Sequence, residues 1–151
     1  MNRDMNPPAE NAPGKYRKTY RPFFLWMLLF CVALPGGALL ARTLGVGETK
    51  GICLVLLIGL EALMLLIHRG GYIYWINGGP SYETARDAPP EQRRRYSGAH
   101  LVLFTKALLA GLVYLVASAI IKFPAWLDIT VTAGIAVVAA FAALPIHWQD
   151  T

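Results

Sequence analysis

Apolar and polar positions follow one another along this chain in long blocks. Four blocks, residues 22–41, 51–68, 100–121 and 127–146, are almost entirely apolar. An α-helix needs about 20 apolar residues to cross the hydrocarbon core of a bilayer, which is about 30 Å thick. The pattern therefore predicts an all-α membrane protein with four transmembrane helices.

Polar segments separate and flank these blocks. The two links at 42–50 and 122–126 are short, whereas about thirty residues separate the second block from the third. A polar segment rich in proline and unable to bury a core is typical of disorder. We therefore predict a basic, aromatic and partly disordered N-terminal tail (1–21), a four-helix membrane domain (22–146) with a structured connector (69–99), and a polar tail (147–151).

Charge predicts the orientation of the spans. Only 15% of the residues are charged, and the net charge is +5. Five basic residues lie in the N-terminal tail and five in the connector, but only three lie in the two links on the opposite side. Cytoplasmic segments carry the excess of Lys and Arg, so both termini and the connector are expected in the cytoplasm, with the protein in the inner membrane. Because topology accounts for these cations, no nucleic acid is expected as a partner.

The first apolar block has a rival interpretation. A basic region followed by an apolar run is also the pattern of a secretory signal peptide. Here the apolar run is long for that purpose, and no clean small-x-small cleavage site follows it. We predict a retained first span, with cleavage as the open alternative.

Glu61 and Lys106 are the charged residues that lie away from the ends of the predicted spans. Glu61 lies in the middle of the second span and Lys106 near the start of the third. A charge at that depth is costly unless it is paired, neutralised or facing water. At 1.5 Å per residue both lie at similar depth, so we predict a pair that fixes helix packing. The alternatives are a site for a proton, cation or polar ligand, or a protonated Glu61.

The connector contains two features of a contact surface. Its aromatic stretch ends at a predicted turn, and a cluster of three arginines follows. A turn at Asn-Gly-Gly is expected because Gly and Asn tolerate positive φ. The residues that we assign to contact with lipid or a protein partner are Trp75, Asn77, Gly78, Gly79, Arg93, Arg94 and Arg95.

The fourth span is dense in small residues. Ala136 with Ala140, and Ala139 with Ala143, form pairs of small residues spaced four apart. Such pairs let membrane helices approach closely. They predict either packing inside the bundle or association with a second copy or another membrane protein.

Catalytic, metal-binding and nucleotide-binding signatures are not found in the sequence. Two histidines, His68 and His100, flank the connector, but no further ligands accompany them at metal-site spacing. We therefore expect no metal, no cofactor and no enzymatic activity.

Residues 71–109 resemble a group of small bacterial membrane proteins of unknown function that are related to the SdpI-type immunity proteins. The resemblance is carried by a Gly and aromatics at the end of a span, a short turn, a charged stretch and an entry into the next span. The matching residues are Gly71, Trp75, Ile76, Gly78, Glu91, Tyr96, Leu101, Phe104 and Lys106. The chain departs from that group by an insertion at residues 87–90 and by a different turn core. The resemblance implies a protein of a bacterial cytoplasmic membrane, in immunity or signalling, without enzymatic activity.

Two functions fit these observations. The first is a non-enzymatic accessory or immunity-like protein that binds another membrane protein through the connector and the fourth span. The second is a small oligomeric transporter or channel that uses the carboxylate of Glu61. Membrane lipids are partners under either interpretation.

Overall fold

The computed structural model describes residues 16–148. The regular secondary structure of these residues is helical throughout. The elements in chain order are α1 (Arg21–Thr43), α2 (Glu48–Gly70), a 3-10 turn (Ile73–Trp75), α3 (Tyr82–Asp87), α4 (Pro90–Ile121) and α5 (Ala125–Ala143). Most of the N-terminal tail that we predicted to be partly disordered (residues 1–15), and the last residues of the C-terminal tail (149–151), lie outside the described part of the chain.

The helices α1, α2, α4 and α5 are each long and apolar enough to cross a membrane. The prediction of an all-α chain with four such helices is therefore confirmed. Pro35 lies inside α1 without ending it, and the helix continues to Thr43.

Helix α4 is longer than the apolar block that predicts it. It begins at Pro90, where no backbone donor is needed, and contains 32 residues. At 1.5 Å per residue it spans about 48 Å, against about 30 Å for the hydrocarbon core. Helix α4 is therefore longer than one crossing of a bilayer needs, and its first turns carry the three arginines.

Helix α2 is the centre of the bundle, and it packs against α1, α4 and α5. Its contact with α1 depends on two glycines, because a Cβ atom on Gly51 would collide with the carbonyl oxygen of Gly37. On its other side, Cys53 and Leu57 pack with Leu115 of α4 in a buried cluster. The backbones of α1 and α2 approach closely because glycine has no side chain at the crossing.

A tight turn joins α4 to α5. Lys122 adopts a left-handed conformation with φ 63°, and the amide of Phe123 donates to the carbonyl oxygen of Ser118 at 3.1 Å. Pro124 then precedes α5, whose first turn contains Asp128. A carboxylate is favoured there because backbone N–H groups at a helix N-terminus are unpaired.

A second core lies at the opposite end of the bundle. Ile73 of the 3-10 turn, Ala85 of α3 and Tyr96 of α4 are buried together there. Trp148 packs edge-on against Tyr96 with ring centroids 5.4 Å apart. The connector and the segment that follows α5 therefore meet at one end of the bundle.

Candidate functional site

Asp128 is the most deeply buried charged group in the described residues, with 0% of its surface exposed. The ammonium Nζ of Lys50 lies 2.7 Å from its Oδ2. The hydroxyl of Tyr114 donates to Oδ1 at 3.1 Å, and the hydroxyl of Ser118 donates to the same oxygen. Helices α2 and α4 thus supply donors to one carboxylate of α5.

Further hydrogen bonds surround the ion pair of Lys50 and Asp128. The Nζ of Lys50 donates to the carbonyl oxygen of Phe123 at 3.3 Å, and the thiol of Cys53 lies 3.7 Å from the carbonyl oxygen of Asp128. A buried ion pair is tolerated when further hydrogen bonds satisfy both partners. The cluster therefore ties α2, α4 and α5 together at the end where α4 turns into α5.

Sequence analysis missed this cluster. Asp128 stands at the edge of the fourth apolar block, and Lys50 was counted only as a charge of a link. The sequence did contain one signal for this pair. Lys50 and Asp128 have opposite charges and border spans on the same predicted side of the membrane. The hydroxyl donors, Tyr114 and Ser118, carry no comparable signal because both are common in apolar helices.

Glu61 lies in the middle of α2 and contacts α4. The hydroxyl of Thr105 donates to Glu61 Oε1 at 2.7 Å and also lies 2.9 Å from the carbonyl oxygen of Leu101. The second carboxyl oxygen of Glu61, Oε2, is buried and has no hydrogen-bond partner in residues 16–148. Glu61 therefore keeps one unused acceptor inside the bundle.

The structure does not bring Glu61 and Lys106 together. The ion pairs between described residues are Arg42–Glu48, Lys50–Asp128 and Arg86–Asp87, and Lys106 is exposed. Successive residues of an α-helix point about 100° apart, since 3.6 residues complete one turn. Because α4 presents Thr105 to Glu61, its neighbour Lys106 is turned away from α2.

Residues 16–20 lie against the connector. The hydroxyl of Tyr16 donates to the carbonyl oxygen of Gly71 at 2.6 Å, and the hydroxyl of Tyr82 donates to the carbonyl oxygen of Tyr16 at 2.8 Å. The hydroxyl of Tyr74 donates to the carbonyl oxygen of Thr19 at 2.9 Å. We call the assembly of residues 16–20, 71–87 and 90–97 the cap.

The three arginines occupy different positions in the cap. The guanidinium of Arg93 lies 4.3 Å from the ring centroid of Tyr16, a cation–π geometry, and its Nη1 is buried without a hydrogen-bond partner among the described residues. Arg94 and Arg95 are exposed. Burial raises the pKa of Tyr16 to about 12, although Arg93 opposes that shift.

The predicted turn residues form the edge of the cap. Trp75 stacks on Tyr72 with ring centroids 4.4 Å apart. Gly78 has φ +77°, a conformation that favours glycine, and the amide of Gly79 donates to the carbonyl oxygen of Ile76 at 2.9 Å. Asn77 is exposed. These residues therefore shape the turn, and Asn77 offers a polar side chain at its surface.

The two histidines that flank the connector, His68 and His100, have different hydrogen-bond partners. His68 Nδ1 lies 2.9 Å from the hydroxyl of Ser97, and His100 Nδ1 lies 3.0 Å from the carbonyl oxygen of Tyr96. In residues 16–148, no group of three or more His, Cys, Asp or Glu side chains is arranged to hold a metal ion.

The four alanines of α5 do not share one environment. Ala139 is buried, Ala136 and Ala143 are half-buried, and Ala140 is exposed. Helix α5 packs against α4 and α2, so part of the small-residue surface serves packing within the bundle.

A comparison of the chain with protein-family models, curated proteins and solved structures finds no match. The resemblance of residues 71–109 to the SdpI-related group stays a prediction.

Proposed function

We propose that this chain is a non-enzymatic accessory or immunity-like protein of a bacterial cytoplasmic membrane and that it binds another membrane protein through the cap. The observation that supports the proposal is the order of the cap itself. Hydrogen bonds hold residues 16–20 on a connector that a simple link between two spans would not need. Fixing the backbone of one residue costs about 1–2 kcal/mol of conformational free energy. An ordered cap that costs this much supports a function for its surface.

A preformed surface favours binding because the cost of ordering is met before the partner arrives. The exposed cations of the cap give that surface its chemistry. Arg94 and Arg95 are exposed on the first turns of α4, and neither forms an ion pair within the described residues. The partner that fits is therefore a membrane protein with acidic residues at its cytoplasmic face.

Co-purification in a mild detergent from the native host, followed by native mass spectrometry, tests the proposal. We expect a stoichiometric second membrane protein with the wild-type chain and its loss with the double variant Arg94→Ala, Arg95→Ala. Long-range steering and rim contacts between charges are sensitive to ionic strength, so the complex should also weaken as salt increases. The fold of the variant should be unchanged because both side chains are exposed.

Arg42→Ala is the matched control, since Arg42 is an exposed arginine at the opposite end of the bundle. It should retain the partner. Equal capture of the partner by the wild-type chain and the Arg94, Arg95 double variant would contradict the role of the cap. A homo-oligomer without a second protein would contradict the accessory function.

Transport is a second candidate function, and one observation favours it. Glu61 Oε2 is a buried acceptor without a partner in the described residues, and Glu61 lies in the middle of α2. Ionisable groups at such depths often mark proton or ion pathways. In proteoliposomes, Glu61→Gln should abolish proton or cation flux if this function is correct. Equal flux through the wild-type chain and the Glu61→Gln variant, or no flux through either, would reject it.

A further inference from the structure

A cavity of about 440 Å³ lies between the cap and the bundle. Its walls come from α1, the second half of α2, the 3-10 turn and the turn after it, the first part of α4, the end of α5 and the segment that follows α5. Most of the lining is apolar, including Leu63, Ile67, Phe104 and Ala143. Cavities of this size and lining are typical of sites for small, mostly apolar ligands.

His100 is one of the polar side chains that line this cavity, together with Trp75, Asn77, Tyr96 and His147. It lines the cavity and is only 4% exposed. Its Nδ1 lies 3.0 Å from the carbonyl oxygen of Tyr96, and a carbonyl oxygen can only accept, so Nδ1 carries the proton of that hydrogen bond. In the neutral ring Nε2 is then an acceptor, and the hydrogen bond that His100 forms with Tyr96 leaves this nitrogen unused.

We propose that this cavity binds a single-chain amphiphile with a hydroxyl head group, and that the hydroxyl donates a hydrogen bond to His100 Nε2. A ligand hydroxyl would give the acceptor nitrogen of His100 a donor. The apolar walls would cover the chain of the ligand. A hydroxyl fits better than a carboxylate because a carboxylate offers only acceptors to an acceptor nitrogen.

The volume of the cavity guides the choice of probe. A water molecule occupies about 30 Å³ in the liquid, so the cavity of 440 Å³ has room for roughly 15 non-hydrogen atoms. A medium-chain fatty alcohol, for which dodecan-1-ol is the probe, matches this space.

The test is ¹⁵N NMR of the full-length protein, labelled at histidine and embedded in lipid nanodiscs. The chain has three histidines, so His→Gln variants assign the resonances. Dodecan-1-ol should shift the Nε2 resonance of His100 upfield and saturably, as expected when an unprotonated nitrogen gains a donor. Dodecane and dodecanoate should leave that resonance in place, and the His68 resonances should stay constant throughout.

Variants that fill the cavity provide the control for location. Ala143→Phe and Ala140→Phe both place a ring in the cavity wall, and either should abolish the shift. Ala119→Phe is the matched control because it fills the apolar groove between α1, α2 and α4 instead, and it should keep the shift. No shift with dodecan-1-ol, an equal shift with dodecanoate, or a shift that persists in folded Ala143→Phe and Ala140→Phe would each overturn the proposal.

Discussion

Asp128 is the single residue whose charge the fold most depends on. Replacing it by Asn keeps the shape but leaves the ammonium of Lys50, only 14% of whose side chain is exposed, without its counter-ion. Breaking a buried pair from one side costs about 3–5 kcal/mol. We expect Asp128→Asn to lower the free energy of unfolding in mixed micelles by about 3 kcal/mol, the lower end of that range, because Lys50 lies near the end of its span.

The double variant Lys50→Met, Asp128→Asn removes both charges and should be more stable than Asp128→Asn alone. Such a cycle isolates the coupling between two groups in contact. Arg42→Gln is the control, since its ion pair with Glu48 joins side chains that are 72% and 55% exposed, and it should cost about 0–1 kcal/mol. Additive effects of the two single changes would contradict a coupled buried pair.

Tyr16 makes the cap sensitive to alkaline pH. Its pKa is raised from 10.0 to about 12 in the folded protein, chiefly by burial. The stability that this phenol contributes is fully present below pH 10 and is lost as pH rises through about 12, because the unfolded state releases the proton first. In tyrosinate absorbance titrations, the wild type minus Tyr16→Phe difference should titrate near pH 12. A difference that titrates near pH 10.0 would show that Tyr16 is not buried in the cap.

Charged residues show how far single positions were predictable. Sequence analysis selected Glu61 because a mid-span carboxylate stands out, and the structure places it against α4. Its partner was not predictable by depth alone, because depth does not say whether Thr105 or Lys106 faces α2. Asp128 was missed because its burial depends on three helices meeting at one point.

At the scale of the elements, the crossing of α1 and α2 depends on the absence of a side chain. Gly51→Ala should cost about 1–3 kcal/mol, since the added methyl collides with the backbone of Gly37 and forces the helices apart. Gly36→Ala is the matched control because its methyl would meet open space. It should be neutral or slightly stabilising in the same unfolding assay, as alanine is the better helix former.

Equal free energies of unfolding for Gly51→Ala and Gly36→Ala would contradict this packing of α1 against α2.

The four long helices were predictable because a bilayer demands long apolar runs whose backbone is satisfied within each helix. The cap was not predictable from local sequence. Its hydrogen bonds join residues such as Tyr16 and Gly71, which are 55 positions apart, and no periodicity reports such a contact.

At the scale of the whole molecule, the two ends of the bundle differ in charge. The cap end holds eight of the described basic residues that lie outside the four apolar blocks of the sequence, namely Arg17, Lys18, Arg21, Arg69, Arg86, Arg93, Arg94 and Arg95. The opposite end holds Arg42, Lys50 and Lys122, and two of these are paired with carboxylates. The positive-inside rule then predicts that the cap faces the cytoplasm.

Cysteine labelling measures this orientation directly. In a chain whose two native cysteines are replaced by Ala, Leu44→Cys lies at the end opposite the cap and Glu83→Cys lies on α3 within the cap, and both positions are exposed. A membrane-impermeant maleimide should label Leu44→Cys in intact spheroplasts and should reach Glu83→Cys only after permeabilisation. The reverse pattern would place the cap outside, where its arginines would have to bind an extracytoplasmic partner instead. Of the four long helices, only α2 lies between these two positions, so they should be on opposite sides of the membrane. Labelling of both positions in intact cells would contradict a membrane-spanning α2.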